Sequence, residues 1–265
     1  MALALILTLI PILSAAIATT VRLPPKNAKF DYQLGGAYAP APDVRIVTRD
    51  RTAAPVKGLY NVCYINAFQT QPDARAFWLT YNAYNEDDPG RAKLVLRRSN
   101  GALFEDSDWP GEFFLDTRTS AKRTAIMAVL GDWIDTCAQK GFQAIEPDNL
   151  DTYTRSDGLL AGANNLALAQ LLVARAHQAG LAIAQKNTAE LGTRVGFDFA
   201  VAEECQQYNE CDAYTSIYGA GVLEIEYSKK QFTAACAARG TNISIIYRDR
   251  DVVPKGKKGY QYAAC

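Results

Sequence analysis

Short apolar runs, broken by Gly, Pro and Asn, set the pattern of this chain. "FDYQL" (30–34) reads as a first strand and is followed by the Gly-rich turn "GGAYAPAP". "DVRIV" (43–47) and "GLYNVCYINAF" (58–68) read as the second and third, the latter rich in Val, Ile and Tyr. Residues 69–115 are polar and aromatic with few regular signals, and read as a long surface excursion. The clearest helix is predicted over 117–140. Ile126, Leu130, Trp133, Ile134 and Cys137 fall at helical spacing, Thr119 or Ser120 can cap it, and Gly141 ends it. "FQAIEPDN" follows at once as a strand. A second amphipathic helix is predicted over 161–179, closed by Gly180. "LAIAQKN" (181–187), "FDFAVAEEC" (197–205), "VLEIEYS" (222–228) and "ISIIYRDRD" (243–251) are the remaining strands, with a helical stretch near 229–239 before the last. Eight apolar runs, the last five separated by helix-length segments, imply a parallel sheet, and the fold expected is an α/β single domain, a closed (β/α)8 TIM barrel. An open doubly wound sheet is the alternative, but no G-x-G-x-x-G follows the first strand.

The first residues, "MALALILTLIPILSAAIATT", form an apolar run ending in small residues, and Ala16-Ile17-Ala18 fits an A-x-A cleavage site. The expected organisation is a signal peptide over 1–18, a linker over 19–27 and the barrel over 28–265. No Lys or Arg precedes the run, so an uncleaved anchor is the other reading. Pro11 and the run's length, short for a membrane span, oppose it. The 28 basic and 28 acidic residues cancel, and no polybasic stretch argues for nucleic acid or a membrane surface as partner. Six cysteines without a C-x-x-C pair, behind a leader, imply up to three disulfides and a secreted, extracellular protein. The one histidine, His177, lies on a helical pattern, which disfavours a histidine triad or a His-rich zinc site. No metal or cofactor is expected, and a monomer is. Proton chemistry falls to carboxylates.

In a barrel the reactive groups sit at the C-terminal ends of the strands. Those ends carry Asp31 and Gln33 on the first run, and Tyr64 and Asn66 on the third. The fourth carries Glu146, Asp148, Asn149 and Asp151, with Tyr153 just beyond. Lys186 and Asn187 end the fifth, and Glu203 and Glu204 the sixth. The seventh carries Glu224, Glu226 and Tyr227, and the eighth Arg248 and Asp249. Glu146 and Asp148 are two apart and share one strand face. Like charges held close raise one pKa, and an acid beside an ionised carboxylate is what glycosidic bond cleavage needs. Two plainer readings stay open: Glu146 as a partner of Lys186 on the adjacent strand, and Asp148 as a cap in the following loop.

The segments "EPDNLDTY", "QKN", "VAEECQQYNECD", "EIEYS" and "IYRDRD" resemble, in order and spacing, glycoside hydrolase family 114. The resemblance covers roughly residues 28–265, and its most specific pieces are E-P-D-N-x-D-x-Y and E-x-C-x-x-Y-x-E-C. The family comprises secreted endo-α-1,4-polygalactosaminidases. The resemblance therefore implies an endo-acting, retaining enzyme that cleaves a partly de-N-acetylated, cationic amino-sugar polymer. Carried over by motif, the catalytic carboxylates are Asp148 after the fourth strand and Glu203 after the sixth, with Glu204 as its neighbour in that count. The family usually has Asn before this Glu, where this chain has Ala202. The resemblance also gives the strand-end acids a use. Asp31, Glu146, Asp148, Asp151, Glu203 and Glu226 would form an acidic mouth for ammonium groups, and Tyr32, Tyr64, Tyr153 and Tyr227 faces for sugar rings. A catalytically silent carbohydrate-binding barrel and a Schiff-base aldolase using Lys186 are the competing readings.

Cys205 and Cys211 flank "QQYNE" just after Glu203 and are expected to bridge; Cys236, near a helix end, is expected to bridge to the terminal Cys265. Cys63 neighbours Tyr64 and so faces the helical layer if Tyr64 faces the mouth, while Cys137 lies on the apolar stripe of the long helix. These two either meet or stay buried thiols.

Overall fold

Eight strands run in parallel and in chain order: β1 (Phe30–Gln33), β2 (Ile46–Asp50), β3 (Tyr60–Asn66), β4 (Ala144–Asp148), β5 (Ala182–Lys186), β6 (Phe199–Glu203), β7 (Val222–Glu226) and β8 (Ser244–Arg248). The computed structural model describes residues 21–79 and 90–265; the expected signal peptide lies outside the described residues. A ninth strand, β9 (Tyr262–Ala264), absent from the sequence expectation, pairs antiparallel with the free edge of β8. Tyr262 Oη donates to Phe30 O at 2.8 Å, and the Arg248 guanidinium donates to Tyr32 O, so the seam between β8 and β1 is bridged. The result is a nearly closed α/β barrel of the TIM type.

Side chains alternate along each strand and build two cores. Phe30, Tyr32, Ile46, Tyr60, Val62, Ala144, Ala184, Phe199, Val201, Leu223, Ile225 and Ile246 fill the barrel. Cys63, Ile65, Ile145, Ile183, Ala200 and Ala202 face the other way, onto the helices. Those helices are α1 (Arg75–Leu79), α2 (Ser120–Lys140), α3 (Gly162–Gln178), α4 (Cys205–Tyr208), α5 (Cys211–Tyr218) and α6 (Lys229–Arg239). The Thr119 side chain accepts from Lys122 N to cap α2, and Gly141 ends it in the left-handed conformation, φ 92°.

Four expectations need correction. The second strand starts at Ile46 rather than 43, because residues 41–44 make a turn, with Val44 N bonded to Ala41 O, and Asp43 pairs with Lys29. The β5–β6 link is long enough for a helix but holds only a 3-10 turn, Ala189–Leu191. Residues 21–27, read as a linker, dock on the barrel: Val21 packs against its core and Arg22 O accepts from Tyr60 Oη at 2.6 Å. The excursion after β3 is no loose surface loop. Trp78, Leu96, Phe104, Phe114 and Leu115 in it are buried, and antiparallel bridges such as Glu105↔Phe113 and Val95↔Leu115 fold it back on itself. Four of its aromatics, Trp78, Phe104, Phe113 and Phe114, leave water together, which is the main gain such a segment has from folding back.

Three disulfides tie the layers: Cys63–Cys137 joins β3 to α2, Cys205–Cys211 closes the turn after β6, and Cys236–Cys265 fastens the C-terminus to α6.

Candidate active site

The inward parity of β4, β5 and β6 brings Glu146, Asp148, Lys186 and Glu203 to one point at the C-terminal end of the barrel. Lys186 is the hub. Its side chain is 2% exposed, and its ammonium lies 3.0 Å from Glu146 Oε1, 3.3 Å from Asp148 Oδ1 and 3.2 Å from Glu203 Oε2. Each carboxylate has a tyrosine of its own. Tyr32 Oη donates to Glu146 Oε1 at 2.6 Å, Tyr64 Oη to Asp148 Oδ2 at 2.6 Å, and Tyr227 Oη to Glu203 Oε1. Asn149 N adds a bond to Asp148 at 2.8 Å, and Asn187 Nδ2 one to Glu203 at 3.0 Å. Immediately after these strands the chain turns through the left-handed region at Asn149 (φ 70°), Asn187 (49°), Thr188 (64°) and Glu204 (56°). Non-glycine residues held there concentrate at functional sites.

Burial opposes ionisation of Asp148, yet the Lys186 charge, the Tyr64 hydroxyl and the Asn149 N–H together hold its carboxyl below the usual range. For Glu146, wholly buried, burial outweighs Lys186 and Tyr32 and the pKa rises; its Oε2 has no partner. Burial likewise works against the Lys186 ammonium, but Asp148, Glu203, Tyr32 and Glu146 reverse it and fix the charge.

Above this cluster opens a cavity of about 680 Å³. Nine carboxylates line it, those of Asp108, Glu112, Asp148, Asp151, Glu190, Glu203, Glu204, Glu210 and Asp251, against three cations, Arg155, Lys186 and Arg250. Tyr64, Asn149, Asn187 and Tyr227 line it as well, as does Tyr32. Sequence reasoning missed Asp108, Trp109 and Glu112, because they come from the excursion after β3, and Tyr208, Glu210 and Arg250, because they lie beyond the strand ends. The motif E-x-C-x-x-Y-x-E-C did contain the signal for Tyr208 and Glu210. Cys205, Cys211 and Glu224 lie together with metal-ligand types, but the two sulfurs are joined to each other.

Several residues read as part of the mouth are elsewhere. Glu146 lies beneath the cavity floor as the partner of Lys186. Asp31 and Gln33 have outward parity on β1. Asp31 accepts from Tyr38 Oη (2.6 Å) and Gln33 Nε2 (2.9 Å), and Gln33 accepts from Arg49 Nε (2.9 Å). Arg248, fully buried, spans the β8–β1 seam, and Asp249 accepts from Val253 N and Gln261 N to shape the β8–β9 loop. Tyr153 stands behind the wall, its hydroxyl bonded to the lining residue Glu190. Glu226 faces the helices, since Leu223 and Ile225 take the inward positions of β7. It accepts from Gln206 N at 2.9 Å, next to the Glu224–Arg239 pair. Glu203 faces inward and Glu204 turns to the rim, where Arg250 reaches it at 3.3 Å. Ala202 points into the helical layer, so the family's Asn at that place would not face the cavity in this chain.

Similar solved structures share the architecture. Ega3 from Aspergillus fumigatus, determined in complex with galactosamine, is 22% identical with a TM-score of 0.69, over 94% of this chain and 100% of that one. The glycoside hydrolase domain of PelA from Pseudomonas aeruginosa is 14% identical with a TM-score of 0.54, over 86% and 96%. No curated protein matches the chain. The model of glycoside-hydrolase family GH114 matches residues 12–265. The barrel, its paired carboxylates and this match over nearly the whole sequence make the chain a glycoside hydrolase, a member of family GH114.

Proposed function

We propose that this enzyme is a secreted, monomeric, endo-acting hydrolase of α-1,4-linked galactosamine polymers, with a signal peptide over 1–18 removed from a barrel spanning 28–265. Asp148 is the nucleophile and Glu203 the general acid and base. The observation that carries the reading is the shared ammonium. Asp148 and Glu203 both form ion pairs with Lys186 Nζ, so the paired oxygens are separated by no more than the two distances together, about 6.5 Å, and by less for any bent arrangement. That favours the retaining spacing of ~5–5.5 Å over the wider gap that admits a water. In such a reaction Asp148 attacks C1 while Glu203, entering the step protonated, gives its proton to the leaving glycosidic oxygen, so that the C1–O bond breaks and leaves a glycosyl ester and a free chain end. Glu203 then takes a proton from water, the water oxygen attacks C1, and Asp148 leaves as carboxylate. Lys186, Tyr64 and Asn149 suit Asp148 to its role by keeping it ionised.

The substrate class is supported by charge. Nine carboxylates around the cavity against three cations make a mouth for a cationic polymer. The galactosamine complex of the Aspergillus neighbour agrees with this. Trp109 and Tyr208, 42% and 61% exposed on the cavity rim, offer faces for further sugar rings and support endo cleavage of a long chain. Three disulfides support secretion. A silent binding module would not need two carboxylates on one buried lysine. An aldolase would need a neutral Lys186, and its neighbours hold it charged.

Incubation with partially deacetylated α-1,4-galactosaminogalactan, read by mass spectrometry, tests the proposal. Oligosaccharides of several lengths should appear, and Asp148→Asn and Glu203→Gln should each lower the rate by at least ~10²-fold while the protein stays folded. Intact polymer after wild-type treatment, or loss of activity in Glu204→Gln but not in Glu203→Gln, would overturn it.

A further inference from the structure

One exposed asparagine carries a motif that cleavage of a polymer does not use. Among the asparagines of the sequence only Asn242 opens an N-x-S/T triplet, Asn242-Ile243-Ser244, with no proline in the middle. The triplet links α6 to β8. Arg239 O accepts from Asn242 N at 2.8 Å and from Ile243 N at 3.2 Å, and Thr241 O accepts from Asn27 Nδ2 at 2.8 Å, so the backbone is a fixed turn. The Asn242 side chain is exposed on that turn, and its amide makes no hydrogen bond among the described residues. The turn leads into the start of β8, at the end of the barrel opposite the catalytic mouth, and no residue from 228 to 249 lines the cavity.

Ser244 supplies a second, independent observation. It is the first residue of β8, 3% exposed, and pairs with Leu223 of β7. It shares the parity of Ile246, which packs in the barrel interior. Its Oγ is buried without a hydrogen-bond partner. A buried hydroxyl that bonds nothing weakens a fold relative to the methyl of alanine. In an N-x-S/T triplet the hydroxyl has a different use, because the transferase that glycosylates asparagine reads it in an extended, accessible chain.

We infer that Asn242 is the acceptor of an N-linked glycan, added before β8 enters the barrel, and that the Ser244 hydroxyl serves that recognition and not the fold. The inference rests on the secreted reading above, since this modification is made during export. Asn242 Nδ2 attacks C1 of the first sugar of a lipid diphosphate-linked oligosaccharide. The C1–N bond forms and the C1–O bond to diphosphate breaks. The lipid diphosphate leaves, and the amide gives up one proton to a base of the transferase. Once β8 is paired, Ser244 is out of reach, so the transfer precedes folding. The glycan then projects from the far end of the barrel, where it adds bulk and hydration without meeting the polymer.

Export of the full chain from a yeast host tests this. Trypsin releases residues 240–248 as one peptide. In the wild type most copies of it should carry a glycan, and enzymatic release should leave aspartate at the acceptor position. Asn242→Gln and Ser244→Ala should each give the bare peptide, with the polymer cleaved at the wild-type rate. Made without glycan in a bacterial host, Ser244→Ala should melt no lower than the wild type. A bare peptide from exported wild type, or a glycan retained in Ser244→Ala, would overturn the inference and leave the hydrolase reading standing. A lower melting temperature for Ser244→Ala would overturn the role given to its hydroxyl. If the native leader exports nothing, the secretion reading falls, and the same peptide from the chain behind the host's own leader decides the glycan.

Discussion

Two glutamates that adjoin Glu203 in space or sequence show how one position changes a role. Glu204 follows it, but a left-handed turn swings it to the rim beside Arg250. Glu226 sits one strand over with opposite parity, fully buried against α4. Burial raises the Glu226 carboxyl to about 7, with Glu224 and Glu204 adding to the effect. The folded protein thus holds a proton that the unfolded chain has released. Stability falls as pH rises from the unfolded value of roughly 4.3 to about 7, and stays lower above it. Glu226→Gln removes this cost and can still accept from Gln206 N. The variant should melt above the wild type near about pH 8, the gap closing by about pH 5, with KM unchanged. A raised KM with no gain in melting temperature would return Glu226 to the mouth. Asp148, Lys186 and Glu203 were read from the strand ends, and the two acids also from the motif; in the structure the three side chains meet at one point. The sequence misled at Glu226 because "VLEIEYS" has acids on one parity, apolar residues on the other, and no local mark of which side is the cavity. It was silent on Glu112, whose position depends on a bridge within the excursion rather than on a strand end.

At the scale of elements, the turn after β6 is the most constrained piece of the site. Cys205–Cys211 spans 6 residues, and Gln206 within it is bonded by Glu226 and Arg239. Cys63–Cys137 spans 74 residues and pins α2 to the outer face of β3. Loop closure makes the short bridge worth ~2 kcal/mol and the long one ~4.5 kcal/mol by chain entropy alone. Paired Cys→Ala substitutions should separate them. Loss of Cys63–Cys137 should lower the melting temperature more, and loss of Cys205–Cys211 should lower kcat more, as measured by calorimetry and by rate on one substrate. Equal loss of stability from both would argue against a positioning role for the short bridge. The long helices were legible from period and caps, since Thr119 and Gly141 act locally. Strand β9 was not: Tyr262–Ala264 is too short to carry a pattern, and only the open edge of β8 gives it a partner.

At the scale of the whole molecule, a net charge of zero conceals a polarised surface, with an excess of acids around one cavity. Attraction of a cationic polymer by such a mouth is screened by salt. KM for the deacetylated polymer should rise between ~0.01 M and ~0.15 M ionic strength, while kcat changes little. A KM independent of salt would remove charge from the account of binding. The barrel was legible from eight apolar runs, and the cleft's outer wall was not, because it is built by a segment whose burial is decided only in three dimensions. The proposed retaining mechanism needs its two carboxylates, joined through one buried lysine, to stand close enough for direct attack on the sugar. The anomer formed first from an α-1,4-galactosamine oligomer, followed by proton NMR before mutarotation, decides this. The α-anomer should appear first; the β-anomer first would mean that water, not Asp148, attacks C1, and would overturn the mechanism.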